Sequence, residues 1–173
     1  MKKLTMIMLL LIPALTLNAQ VRQGDNFLGG SIGLGTQGNS PVLGASFESM
    51  ISGSLNGAVG IGGLYRYHGY TENGSSREYN FSSLGAQVNY NFTNIGAGEF
   101  VPYVGVTVGY NKVSSDVNGN NNVIDDESYS SGVWVWGQLG ARYFFSSKVA
   151  ATLRVGLGNN DFYPLELGID FKL

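Results

Sequence analysis

The 173-residue chain carries 10 Lys and Arg against 12 Asp and Glu, and charged residues make up only 13% of it, about half the share usual in a soluble domain. With no cysteine, it has no means of building a disulfide scaffold, a Cys-ligated zinc site or a lipid-modified N-terminal Cys. Nor is there a basic surplus to engage nucleic acid.

The first element in chain order reads as a secretory signal. Lys2 and Lys3 precede an apolar run from Leu4 to Ile12, Pro13 breaks it, and Leu17-Asn18-Ala19 stands ahead of Gln20. So short an apolar stretch does not span a bilayer as a helix, and cleavage is expected after Ala19. A retained anchor is the alternative, against which no basic stop-transfer flank follows the run. Residues 1–19 hold two Lys and no acid, so the barrel domain expected at 20–173 has 154 residues, 8 basic and 12 acidic, a formal charge of −4, and all 26 glycines. That is a size for one domain.

From Phe27 onward apolar residues recur with period two over segments of about ten residues, the signature of strands. Eight are expected: Phe27–Gly35, Val42–Ile51, Leu55–His68, Tyr79–Phe92, Val101–Val113, Ser131–Phe145, Lys148–Leu157 and Pro164–Leu173. Connections alternate in length. Ile51–Ser54, Thr93–Phe100 and Ser146-Ser147 are mostly short, Tyr70–Glu78 and Lys112–Ser130 are long and polar, and Thr36–Pro41 and Gly158–Tyr163 are modest. Even strand number with short turns on one rim and longer loops on the other is the pattern of an outer-membrane barrel, short turns toward the periplasm.

Which face looks outward is decided by the polar parity. Ser46, Glu48, Asn56, Arg66, His68, Gln87, Asn89, Asn91, Gln138, Arg142, Thr152, Arg154, Glu166, Asp170 and Lys172 lie on it, interleaved with glycines. Glycine weakens a strand that faces water, but inside an eight-stranded barrel it lets large and small side chains interdigitate. The fold class is therefore all-β, an eight-stranded antiparallel up-and-down transmembrane barrel with a polar, side-chain-filled lumen. Arg66, Arg142, Arg154 and Lys172 nearly balance Glu48, Glu166 and Asp170 there, as buried charge requires. The outward set of Val59, Ile61, Leu84, Val88, Val104, Val106, Val108, Leu139, Ala141, Leu153, Val155, Leu167 and Ile169 holds no charge, and Tyr65, Tyr67, Tyr90, Phe92, Tyr110, Tyr143, Phe145 and Phe171 gather toward the ends of these stripes, where interfacial girdles belong. Counting from Leu139 and Tyr143 puts Trp134 and Trp136 in the lumen; a β-bulge near Gly137 is expected to return them to the lipid side.

The strand Tyr103-Val104-Gly105-Val106-Thr107-Val108-Gly109-Tyr110 and the closing Leu165-Glu166-Leu167-Gly168-Ile169-Asp170-Phe171-Lys172-Leu173 resemble the small outer-membrane β-barrel family, which includes the OmpX-like proteins, the transmembrane domain of OmpA and the "porin family" barrels. The resemblance covers essentially all of 20–173. It implies an outer-membrane location, outer-membrane lipids as surroundings, and recognition of the C-terminal strand by the barrel-assembly machinery. Members end that strand in an aromatic; here Leu173 is last and Phe171 stands two before it.

The most specific local pattern is Asp116 to Glu127 in the longest loop. Asp116, Asn118, Asn120, Asn122 and Glu127 stand at oxygen-ligand positions of a calcium loop of EF-hand or dockerin type, with Val123 at the apolar eighth place. Against it, Asn121 replaces the usual Gly and no helices flank; a solvated Asn/Asp-rich loop is the plainer reading. No other cofactor is indicated. His68 is the only histidine, so no His-pair metal site exists and any His-based triad has to use it; its plain reading is a lumen or rim residue. Glu48, Arg66, Arg142, Arg154, Glu166 and Asp170 read as structural plugging, and no Ser sits in a Gly-x-Ser-x-Gly elbow.

These readings favour a monomeric, non-enzymatic barrel whose loops meet an unidentified extracellular ligand in adhesion, binding or envelope integrity. A narrow porin, a lipid A-modifying enzyme and a secreted lipocalin-like barrel are the alternatives.

Overall fold

The computed structural model describes residues 21–34, 40–54, 56–71, 77–95, 98–117, 120–122, 131–159 and 165–173; the expected signal at 1–19 lies outside them. Among the described residues the strands are β1 Asn26–Leu34, β2 Pro41–Gly53, β3 Ala58–Thr71, β4 Arg77–Asn91, β5 Phe100–Val117, β6 Asn120–Asn122, β7 Gly132–Phe144, β8 Val149–Gly158 and β9 Leu165–Lys172. Each barrel strand pairs antiparallel with its chain neighbours, and β9 returns to pair with β1, so the sheet closes and no wall strand is left as an edge. β6 stands apart as a short arm folded onto the far end of β5, Ser115–Val117 against Asn120–Asn122.

The stagger of the sheet follows from its register. Stepping sideways from Phe81 of β4 through registered partners leads to His68, Val42, Gly33, Glu166, Arg154, Gly140 and Tyr103, and back to β4 at Asn91, ten residues from the start. Eight strands with that stagger tilt by about 41° and enclose a backbone radius of roughly 8 Å. Side chains from opposite walls then meet near the axis. Each residue climbs about 2.5 Å along the axis, so ten residues cross a ~25 Å apolar band.

Alternation sorts the side chains as the sequence pattern predicts. Outside, Leu28, Ile32, Phe47, Ile61, Leu84, Val88, Val106, Leu139, Leu153 and Leu167 are all 42% or more exposed. A continuous apolar belt of this kind exceeds any patch that a soluble monomer shows to water, so the outer surface is matched to hydrocarbon. No helix of the described residues is long and apolar enough to cross a membrane, and the strands do the crossing. Tyr143, Phe145, Phe100 and Phe171, with Tyr90 packed edge-on to Phe92 at 4.9 Å between ring centroids, ring the short-turn end of the belt; Tyr67 and Tyr110 mark the other.

Four differences from the sequence expectation stand out. β3, β4 and β5 run past the expected ends, to Thr71, from Arg77 and to Val117, so a hydrogen-bonded sheet replaces part of the two long loops on that side. Asn56 does not face the lumen: it is exposed in the β2–β3 turn, where its side-chain oxygen accepts from Asn94 at 3.3 Å. Lys172 is a half-buried rim residue paired with Asp25 at 2.5 Å. The bulge expected near Gly137 is absent, since β7 pairs without interruption from Gly132 to Tyr143 with β5; the irregularity lies in β2, between Met50 and Ser52.

Trp134 and Trp136 consequently remain in the lumen, each 3% exposed. Glycine makes their room. A Cβ on Gly109 falls 2.8 Å from the Trp134 ring, and one on Gly156 falls 2.2 Å from that of Trp136. The wall is thinned where the indoles approach it, so no bulge is needed to eject them.

Candidate functional site: the filled lumen and the long-loop rim

Three layers fill the barrel. At the short-turn end Val21, Phe27, Met50, Ala58, Val101, Phe144 and Ala150 form an apolar plug. On β2, β7 and β8 the residue two positions further in on the same face is polar: Glu48 above Met50, Arg142 above Phe144 and Thr152 above Ala150. Val21 reaches the plug because Gly24 takes φ +90°, letting its N–H donate to the Met50 carbonyl at 2.8 Å and folding the preceding segment under the barrel.

Above the plug lies the charge layer. The Arg142 guanidinium donates to Asp170 at 2.6 Å, to Glu48 at 2.5 Å and to the side-chain oxygen of Asn91 at 2.6 Å, while its planar face lies over the rings of Phe27 and Tyr103. Asn91 in turn donates to Glu48 at 3.3 Å. Glu166 is shared by Arg66, with which it makes a close ion pair, and Arg154 at 3.5 Å; Arg154 also donates to the Tyr103 hydroxyl at 3.1 Å. All six residues foreseen for this network are buried, and three cations face three carboxylates. That balance is what permits full burial. Beside them an amide set tightens the middle of the lumen, Gln138 donating to Asn89 at 2.5 Å and to Gln87 at 3.4 Å.

The third layer is aromatic. Arg66 extends between the indoles of Trp134 and Trp136, 5.5 and 4.2 Å from their ring centroids, a cation–π arrangement that retains the charge in a dry place. Above it, His68 rests against Phe81 at 5.7 Å, next to the Tyr79, Phe81 and Val113 cluster on which Tyr70 packs. His68 is fully buried and neither ring nitrogen has a hydrogen-bond partner. No serine of the described residues is hydrogen-bonded to it.

Sequence reasoning missed Tyr103 as the joint between the two arginine groups, and it missed the apolar plug. The parity of Tyr103 with Gly105 and Thr107 was the available signal, and the same holds for Phe27 with Gly29. Of the expected calcium loop, Asp116 pairs across the backbone with Glu78 on one side and Asn121 on the other, and Asn120 pairs with Val117. The described part is thus a hairpin arm. Asn118 and Glu127 lie outside the described residues.

No protein-family model and no curated relative matches the sequence. Solved structures do match. The N-terminal β-barrel domain of Pseudomonas aeruginosa OprF is similar with a TM-score of 0.56 at 15% identity, over 87% of this chain and 98% of that one. Ail, the attachment invasion locus protein of Yersinia pestis, gives 0.55 at 11% identity, over 87% and 99%. The outer membrane enzyme PagL gives 0.53 at 13% identity, over 85% and 99%. With the closed sheet, the apolar exterior and the plugged interior, these likenesses identify the chain as a small eight-stranded transmembrane β-barrel of the outer-membrane type, OmpA- and OmpX-like in fold.

Proposed function

We propose that the protein is a non-enzymatic barrel of the outer membrane that acts through its extracellular rim, in adhesion, ligand binding or envelope integrity. The observation that carries this reading is the closure of the lumen. An apolar plug, a neutral charge layer and an aromatic layer succeed one another along the axis, within a radius of roughly 8 Å that leaves no water-filled bore. A filled wall of this kind is a scaffold, and binding in such folds is carried by the loops at the rim. Ail and OprF differ from PagL in what their names state, so the shared fold alone does not choose between a surface protein and an enzyme. The choice here rests on His68, the only histidine, being buried against Phe81 with neither ring nitrogen hydrogen-bonded to any described residue.

Two assays on refolded protein test this. In planar bilayers the barrel is expected to give no discrete conductance above background; stepwise openings would make it a narrow channel. Incubated with lipid A and analysed by mass spectrometry, it is expected to leave the lipid unchanged; a modified product that disappears with His68→Ala would make it an enzyme.

A further inference from the structure

The outer rim is not level. On β8, β9, β1 and β2 the strands end within the apolar belt, at Gly158, Leu165, Leu34 and Pro41, with Leu157 81% and Leu34 64% exposed. On β3, β4 and β5 the sheet continues upward, and its outward face changes from apolar to polar within one step. Tyr65, Leu84 and Tyr110 form one registered row. The next row is Tyr67, Ser82 and Lys112, and the one above is Gly69, Asn80 and Ser114. The tyrosines are tied to this boundary, since Tyr65 donates its hydroxyl to Ser82 at 3.3 Å and Tyr67 donates to Asn80 at 2.5 Å.

Lys112 therefore stands at headgroup height, exposed, directly above Tyr110 and beside Ser82, on a wall that continues past the end of the hydrocarbon. No carboxylate of the described residues pairs with it. Glu78, the exposed acid on the same face of β4, is four residues up from Ser82, roughly 13 Å along the strand, which is more than a screening length away. Ser82 accepts from Tyr65 and retains its own proton to donate. An ammonium, a hydroxyl donor and a tyrosine shelf at the interface are complementary to a lipid phosphate whose acyl chains lie against Leu84, Val108 and Tyr110.

We propose that the outward face of β3–β5 around Lys112 and Ser82 seats the phosphate of an outer-leaflet lipid. The proposal rests on the outer-membrane reading above and adds a place and a headgroup chemistry to it. It implies an asymmetric lipid shell, with anionic headgroups held on the tall side of the barrel and none selected on the low side.

The barrel has three lysines, at well separated places: Lys112 in this row, Lys148 exposed in the β7–β8 turn at the opposite end, and Lys172 paired with Asp25. Reductive 13C-methylation retains their charge and gives each a resonance, assignable from Lys112→Gln and Lys148→Gln. In phosphatidylcholine nanodiscs titrated with phosphatidic acid of the same chains, the Lys112 signal is expected to shift saturably, with half-effect at a mole fraction about five-fold below that of Lys148. Inorganic phosphate at matching concentration is expected to leave it in place, and Ser82→Ala to move its half-effect toward that of Lys148. Parallel shifts of Lys112 and Lys148 would overturn the site, as would a Lys112 signal that does not move or that moves with free phosphate alone. A protein that stays soluble without detergent and fails to float with vesicles would instead overturn the membrane reading beneath it.

Discussion

Arg142 holds two carboxylates at once, and replacing it with Met tests whether the charge layer works as argued. Met retains apolar contact with Phe27 and Tyr103 but removes hydrogen bonds to Asp170, Glu48 and Asn91, leaving both acids, each at most 4% exposed, without their cation. Breaking one buried ion pair by removing a partner costs about 3–5 kcal/mol, mostly from the charge left behind. With a urea dependence of roughly 2 kcal/mol per molar for a domain of this size, the unfolding midpoint should fall by roughly 1.5–2.5 M. Adding Glu48→Gln and Asp170→Asn to Arg142→Met removes the stranded charges, and most of the loss should return, because a neutral well-packed layer is often as stable as an ionic one. The assay is urea unfolding of vesicle-inserted protein, followed by its mobility on unboiled gels. A single variant with an unchanged midpoint, or a triple variant no better than the single one, would refute the reasoning.

Three further outcomes follow. Both tryptophans point into the lumen, so brominated acyl chains are expected to quench their fluorescence only weakly, whereas strong quenching would return them to the lipid face. His68→Phe removes two unpartnered nitrogens from an aromatic setting and should leave stability unchanged or raise it by about 1 kcal/mol; a clear fall in the urea midpoint would mean that the imidazole is bonded. A calcium loop at 116–127 has to give up the three registered pairs of β5 with β6, so calcium is expected to leave the melting transition of the refolded barrel unchanged, and a rise that Asp116→Ala abolishes would restore the calcium reading.

The closed barrel was legible in the sequence because a two-sided strand carries its own record. Val104, Val106 and Val108 alternate with Gly105, Thr107 and Gly109, and only a barrel gives the glycine face something to do. Charge balance among Glu48, Arg66, Arg142, Arg154, Glu166 and Asp170 marked the lumen for the same reason, although their partners depend on the stagger of ten residues, which no single strand encodes. The tryptophans were misassigned because a bulge was set against the parity count, and the room left by Gly109 and Gly156, distant in sequence and brought beside them by the register, was not counted. The plug escaped notice since Phe27, Val101 and Phe144 break the rule of a polar inside only at one end, where the lumen must be closed. Strand ends on the tall side were placed short because Glu78, Ser114 and Ser115 read as loop residues, yet they belong to strands that continue past the apolar belt.

The central claim is the assignment of sides, and nitroxides placed one at a time at 87, 88, 106 and 107 of the cysteine-free chain test it most directly. In vesicles the account predicts frequent collision with dissolved oxygen and none with a water-soluble nickel chelate at 88 and 106, and little of either at the packed positions 87 and 107. Nickel contact at 88 and 106, with oxygen-rich surroundings at 87 and 107, would contradict it.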